Sequence, residues 1–171
     1  MKMNSKAVIA VIVAVLVIGG TAYYVFGSGG SLNLQVKDPM PSGWSALYIS
    51  ISSVSIHNST GSSGGYVKDF AAPVTVNLAN ATSKSVFLTS LKLPNGHYQM
   101  ISFTITGAYG TYKGVTYKVS LVSSTVDVAG QFTISGGSTT TVTLDFNSVQ
   151  ALHGDPVSGF TMTPVVSEIV S

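Results

Sequence analysis

The chain has 171 residues, enough for one domain of ordinary size, and its charged side chains make up only 8% of it, against roughly 25% in a typical soluble protein. Lys2 and Lys6 supply the whole net charge of +2, because from Ser31 onward six Lys face five Asp and Glu168, and there is no Arg. A basic face able to neutralise a row of phosphates is therefore excluded, and nucleic acid with it; the lack of Cys excludes disulfide scaffolds, thiolate zinc sites and cysteine nucleophiles.

Ala7 to Phe26 is an uncharged, apolar run, which as a helix spans about 30 Å, the thickness of a bilayer's hydrocarbon core. Lys2 and Lys6 on its leading side orient it with the N-terminus in the cytoplasm and the rest of the chain outside. Residues 1–26 are expected to be a membrane anchor or signal segment, contacting the membrane through residues 7–26 unless cleaved. Three fates stay open. The length and the Tyr23, Tyr24 and Phe26 end suit a retained anchor, whereas the basic start and the small residues at Gly27 to Gly30 suit a cleaved secretory signal. Lys6-Ala7-Val8 also resembles the processing site of archaeal type IV pilin precursors, which would leave an apolar helix for a filament core. The competing reading, a buried core helix, requires a partner surface around its whole circumference. Residues 27–31, Gly-Ser-Gly-Gly-Ser, read as a flexible tether.

Residues 32–171 are expected to form an extracellular domain. Apolar residues there alternate with Ser and Thr, the period-2 pattern of half-buried strands, and no helix is expected. Trp44 follows the Pro39-Met40-Pro41-Ser42-Gly43 loop, as a plug at the end of the core or as an exposed platform for a sugar ring. In Leu47–Ile56 the phase slips by one between Ile51 and Val54, which predicts a bulge at Ser52 and Ser53. Alternation recurs in Val74–Leu78, Ile101–Ile105, Val115–Leu121 and Val142–Phe146. Pro94-Asn95-Gly96 and Ser135-Gly136-Gly137-Ser138 separate strand-like runs and read as hairpin turns. About nine strands with short turns point to an all-β fold, an antiparallel β-sandwich preceded by one N-terminal transmembrane or signal helix.

Candidate chemistry is sparse. Gly61-Ser62-Ser63-Gly64-Gly65 matches the G-x-S-x-G pattern of serine hydrolases, but that motif needs a strand-to-helix turn and here reads as a loop between strands. The aspartates are scattered singly, with no close pair to split their pKa values. Among His57, His97 and His153, only His153-Gly154-Asp155, with Asp145 and Asn147 near it, suggests an oxygen-rich calcium loop; Gly154, Asp155 and Pro156 are equally turn residues. No catalytic, cofactor or metal residue is assigned. Asn58-Ser59-Thr60 and Asn80-Ala81-Thr82 are N-glycosylation sequons, both at expected strand ends or loops, so Asn58 and Asn80 are candidate glycan sites.

The order of segments resembles a family known as the domain of unknown function numbered 4382, found in archaeal and bacterial surface proteins. It is carried by Leu34 to Pro39, Ile49 to His57, Leu91 to Tyr98 with Ile101-Ser-Phe103, Phe132 to Gly137, Leu144-Asp145-Phe146, and Phe160 to Val165. The opening turn departs from it with Pro39-Met40-Pro41 in place of Ala-Pro, and Ser and Thr replace most of the charge seen in relatives. The resemblance implies a secreted or anchored β-sandwich and no reaction.

Taken together, the sequence points to a non-enzymatic cell-surface protein in a structural or adhesive role, a filament subunit in which Ser31–Val36 leaves its own sheet to complete a neighbour's. Its partners are then like subunits or other surface proteins. The alternative is an anchored carbohydrate- or ligand-binding module, stacking sugars on Trp44 or on Tyr109, Tyr112 and Tyr117. With more than a quarter of the residues after Gly30 being Ser or Thr and only six carboxylates there, stability is expected to change little from neutral pH to about pH 3.

Overall fold

A computed structural model describes residues 29–58 and 65–170. The expectations for the leader, for the start of the tether and for the Gly61–Gly64 loop lie outside these residues. Among the described residues no helix is long and apolar enough to cross a membrane.

Eleven strands form two sheets: β1 (Gly30–Lys37), β2 (Trp44–His57), β3 (Gly65–Asn77), β4 (Val86–Leu93), β5 (Gly96–Tyr112), β6 (Val115–Leu121), β7 (Thr125–Ile134), β8 (Thr139–Phe146), β9 (Leu152–Asp155), β10 (Gly159–Met162) and β11 (Val166–Val170). The small sheet runs β11-β8-β1-β4; the large one runs β3-β2-β5-β6-β10-β9, with β7 also paired to β5. One apolar core lies between them, Leu32, Leu34, Val36, Leu144 and Phe146 from the small sheet meeting Leu47, Ile49, Ile51, Ile101, Phe103 and Ile105 from the large one. The rings of Phe103 and Phe146 meet across it at 5.4 Å. The fold is thus all-β, as the alternation requires: apolar positions face inward on both sheets and hydroxyls face outward.

Several finer expectations need correction. Two pairings are parallel, β1 with β8 and β6 with β10, so the sandwich is mixed. Among the described residues there are eleven strands where about nine were expected; β9, Leu-His-Gly-Asp, has no alternation to reveal it. Two short helical turns also occur: a 3-10 turn at Leu78–Ala81, capped by the Asn77 side chain, and the single-turn helix α1, Ser148–Ala151, capped by Asn147. The two expected hairpins are arches. Pro94 and Asn95 carry the chain from β4 in the small sheet to β5 in the large one, and Ser135–Ser138 carries it from β7 in the large sheet to β8 in the small one. Turn residues record where the chain bends; they do not record which strand the next one pairs with. A real two-residue hairpin joins β5 to β6 at Lys113-Gly114, both at positive φ (47° and 83°) as a type I′ turn demands.

The bulge is where the phase slip places it. The register of β2 shifts between Ile51 and Ser53 against both β3 and β5.

Candidate functional site

The first strand and its anchorage form the most elaborately held feature of the small sheet. β1 lies between β8, parallel, and β4, antiparallel, and Leu32, Leu34 and Val36 have no exposed surface. Gly30 and Ser31, expected in the tether, are its first residues. A Cβ on Gly30 would stand 2.5 Å from the Ser135 carbonyl oxygen, so only glycine fits against the β7–β8 arch. The Ser31 amide donates to the Ser138 carbonyl at 2.9 Å, and Lys92 Nζ donates to Ser31 Oγ at 2.7 Å.

Asp38 closes the other end. Its amide donates to the Ala81 carbonyl (3.2 Å), and its carboxylate accepts from the Ser148 amide (2.9 Å) and the Ser148 hydroxyl (2.6 Å). Both residues are fully buried. The latch ties the end of β1 to the start of α1, immediately after β8. Burial pushes the Asp38 carboxyl up to about 6; the Ser148 hydrogen bonds pull it back, and the negative charge of Asp145 adds a smaller upward push. Asp145 stands on β8 opposite Lys37, and its Oδ1 is buried without a hydrogen-bond partner among the described residues. The aspartates expected to be scattered singly therefore include one pair close enough to interact. A raised carboxyl suits a general acid, but Asp38, sealed from solvent, meets no substrate in this conformation.

The residues singled out in the sequence are placed as follows. Trp44 is half-buried, with Phe160 edge-on at 4.8 Å and Tyr112 tilted at 5.5 Å. A Cβ on Gly110 would touch its ring at 2.7 Å, so the indole lies against bare β5 backbone. This is the geometry of a plug at the end of the sandwich. Tyr112 and Tyr117 join the same aromatic cluster around Phe160. Asn58 is exposed in a bend directly after β2, and Asn80 is exposed within the 3-10 turn, where Thr82 Oγ1 donates to the Ala79 carbonyl.

The three histidines stay apart in role. His57 is buried and its Nδ1 has no partner among the described residues; His97 Nδ1 lies 2.9 Å from Thr133 Oγ1; His153 is exposed on β9. The suggested calcium loop does not assemble. Asn147 accepts from the Gln150 amide, Asp145 stands near Asp38, and Asp155 Oδ1 accepts from the Val157 and Ser158 amides at 2.7 and 2.9 Å, which hold its pKa below the usual carboxylate value. Among the described residues no group of three His, Cys, Asp or Glu could hold a metal ion.

Sequence reasoning missed the Asp38–Ser148 latch, whose partners are 110 positions apart. It also missed the stacked pair Tyr48 and Tyr109, which only the β2–β5 register brings together.

Among protein families, the one described as Domain of unknown function (DUF4382) matches residues 29–164. No curated protein and no solved structure matches the chain.

Proposed function

We propose, from the premise that the chain belongs to the DUF4382 family, that it is a non-enzymatic surface protein: a β-sandwich held outside the cell in a structural or adhesive role, assembling with like subunits by exchange of β1. The leader's length and flanking lysines, the neutral hydroxyl-rich domain and the exposed Asn58 and Asn80 as glycan carriers all support that reading.

One observation carries it. The strand that follows the glycine-rich tether is an interior strand of the small sheet, hydrogen-bonded on both sides and burying three side chains completely. Withdrawn, it leaves an apolar slot with two open strand edges, and any β1 in the same register refills it, whichever chain supplies it. Asp38 follows the last residue of the strand, so a β1 donated by a neighbouring chain brings a carboxylate that can form the same latch with the acceptor's Ser148.

The test compares a chain of residues 29–171 with one of residues 37–171 by size-exclusion chromatography. The first is expected to give monomer and exchanged oligomers. The second is expected to lose its compact fold and to recover it on addition of a peptide spanning residues 29–37. If both are equally stable monomers, the strand is no plug and the reading fails.

A further inference from the structure

The large sheet carries a hollow that the strand-exchange reading does not use. β5 changes partners midway: up to Thr104 it pairs with β7, and from Ala108 it pairs with β6. Between them, Ile105 to Gly107 have no strand on that side, and only the Ile105 amide reaches across, to the Ser124 carbonyl at 2.7 Å. On the opposite side β2 is shifted by its bulge. The fork leaves an open cavity of about 500 Å³ on the outer face, lined in part by Ser50, Thr106, Gly107, Tyr109, Lys118 and Ser120. Its size is that of a small-molecule cleft. Gly107 leaves it unfilled, since a Cβ there would meet nothing within 4 Å.

An aromatic wall stands beside the hollow. Tyr48 and Tyr109 are register partners on β2 and β5, their rings stacked at 4.7 Å with planes 13° apart. Tyr48 thus covers one face of Tyr109, while Tyr109, 44% exposed, lines the cavity. In the same row, Lys118 on β6 is the register partner of Tyr109 on its other side. Its outward neighbours, Tyr109, Thr116 and Ser120, carry no charge, so a cation stands exposed beside an aromatic ring with hydroxyls around it.

We propose that this fork is a saccharide-binding site selective for a uronic acid unit. A pyranose offers an apolar C–H face and a rim of hydroxyls, which match the Tyr109 ring, the Ser120 hydroxyl, and the acceptor lone pairs left on Ser50 Oγ beside Thr75 and on Thr106 Oγ1, which donates to the Ser50 carbonyl. The sugar carboxylate meets Lys118 in a charge-assisted hydrogen bond. The site lies on the sheet opposite to β1 and does not depend on which chain supplies that strand.

Isothermal titration of the full chain in detergent with tri-galacturonate and with its neutral counterpart, galactotriose, tests the assignment. The acidic trisaccharide is expected to bind at least tenfold more tightly than the neutral one. Tyr109→Ala is expected to weaken both at least tenfold, and Lys118→Gln to abolish the preference while sparing the neutral sugar. Gly107→Val places a branched side chain where a Cβ meets nothing within 4 Å, so it is expected to abolish binding at a melting temperature close to that of the parent chain. Absence of binding, or binding indifferent to both Lys118→Gln and Gly107→Val, overturns the site; equal affinity for the two sugars overturns the acidic class.

Discussion

The two sheets share one alphabet, apolar residues alternating with Ser and Thr, and use it to opposite ends. Half of the large sheet's pairings join neighbours in sequence, β2 with β3, β5 with β6 and β9 with β10, and its outer face keeps an open hollow. The small sheet has β1 at its centre, paired parallel to a strand more than a hundred residues away, and it hides its most perturbed charge completely. Alternation decides which side of a strand is inside; the order in which strands are brought together decides which sheet depends on a single segment.

That contrast can be broken by measurement. Leu34→Ala, in the fully buried middle of β1, is expected to cost about 2–5 kcal/mol in urea unfolding. A loss no larger than that of an outer-face change on the large sheet would remove the special standing of β1.

Next comes pH. Asp38 has its carboxyl raised to about 6 in the fold, against an ordinary 3.8. The folded state therefore holds its proton more tightly than the unfolded chain, so its stabilising contribution is complete below about pH 4 and is lost as pH rises through 6. The domain should be more stable at pH 4 than at pH 7.5 by about 2 kcal/mol, or about 5 °C in melting temperature. Asp155, held low by its turn amides, acts in the opposite sense, contributing above its ordinary value and losing that contribution as pH falls through its lowered one; it is fully exposed and its effect is small. The insensitivity to acid expected from the scarcity of carboxylates leaves Asp38 out of account, and with Asp38 included the expectation becomes a gain in acid. Asp38→Asn, whose amide can still serve both Ser148 groups, should flatten the profile; a melting temperature that falls steeply from pH 7 to pH 4 would contradict the sign.

Ser148→Ala removes the hydroxyl hydrogen bond to Asp38 Oδ2 and keeps the backbone one to Oδ1, which should cost about 1–2 kcal/mol at neutral pH and less in acid. Smallest is Tyr48→Ala on the large sheet, which gives up one stacked ring pair: about 1 kcal/mol by thermal melting.

Much of the fold could be read from the chain because strand periodicity is local. The slip of phase at Ser52 identified a bulge from a few residues. The arches at Pro94 and at Ser135 to Ser138 could not be told from hairpins, because pairing is a property of the whole sheet. Neither could the parallel β1–β8 register, and the Asp38 latch follows from that register alone. Trp44 drew attention as a rare aromatic and packs as a plug, whereas Tyr109, one of three tyrosines named as stacking platforms, is paired by the strand register with Tyr48, which nothing local singles out.

The most direct test uses the absence of cysteine. Asn33 on β1 and Thr141 on β8 are parallel register partners. A chain carrying both Asn33→Cys and Thr141→Cys should form an internal disulfide, which establishes that the geometry permits the bond. When chains carrying only Asn33→Cys are mixed with chains carrying only Thr141→Cys under assembly conditions and oxidised, exchange of β1 predicts a disulfide between the two chains. If the doubly substituted chain closes internally and the mixture gives no such crosslink, β1 stays in its own sheet and the account is wrong.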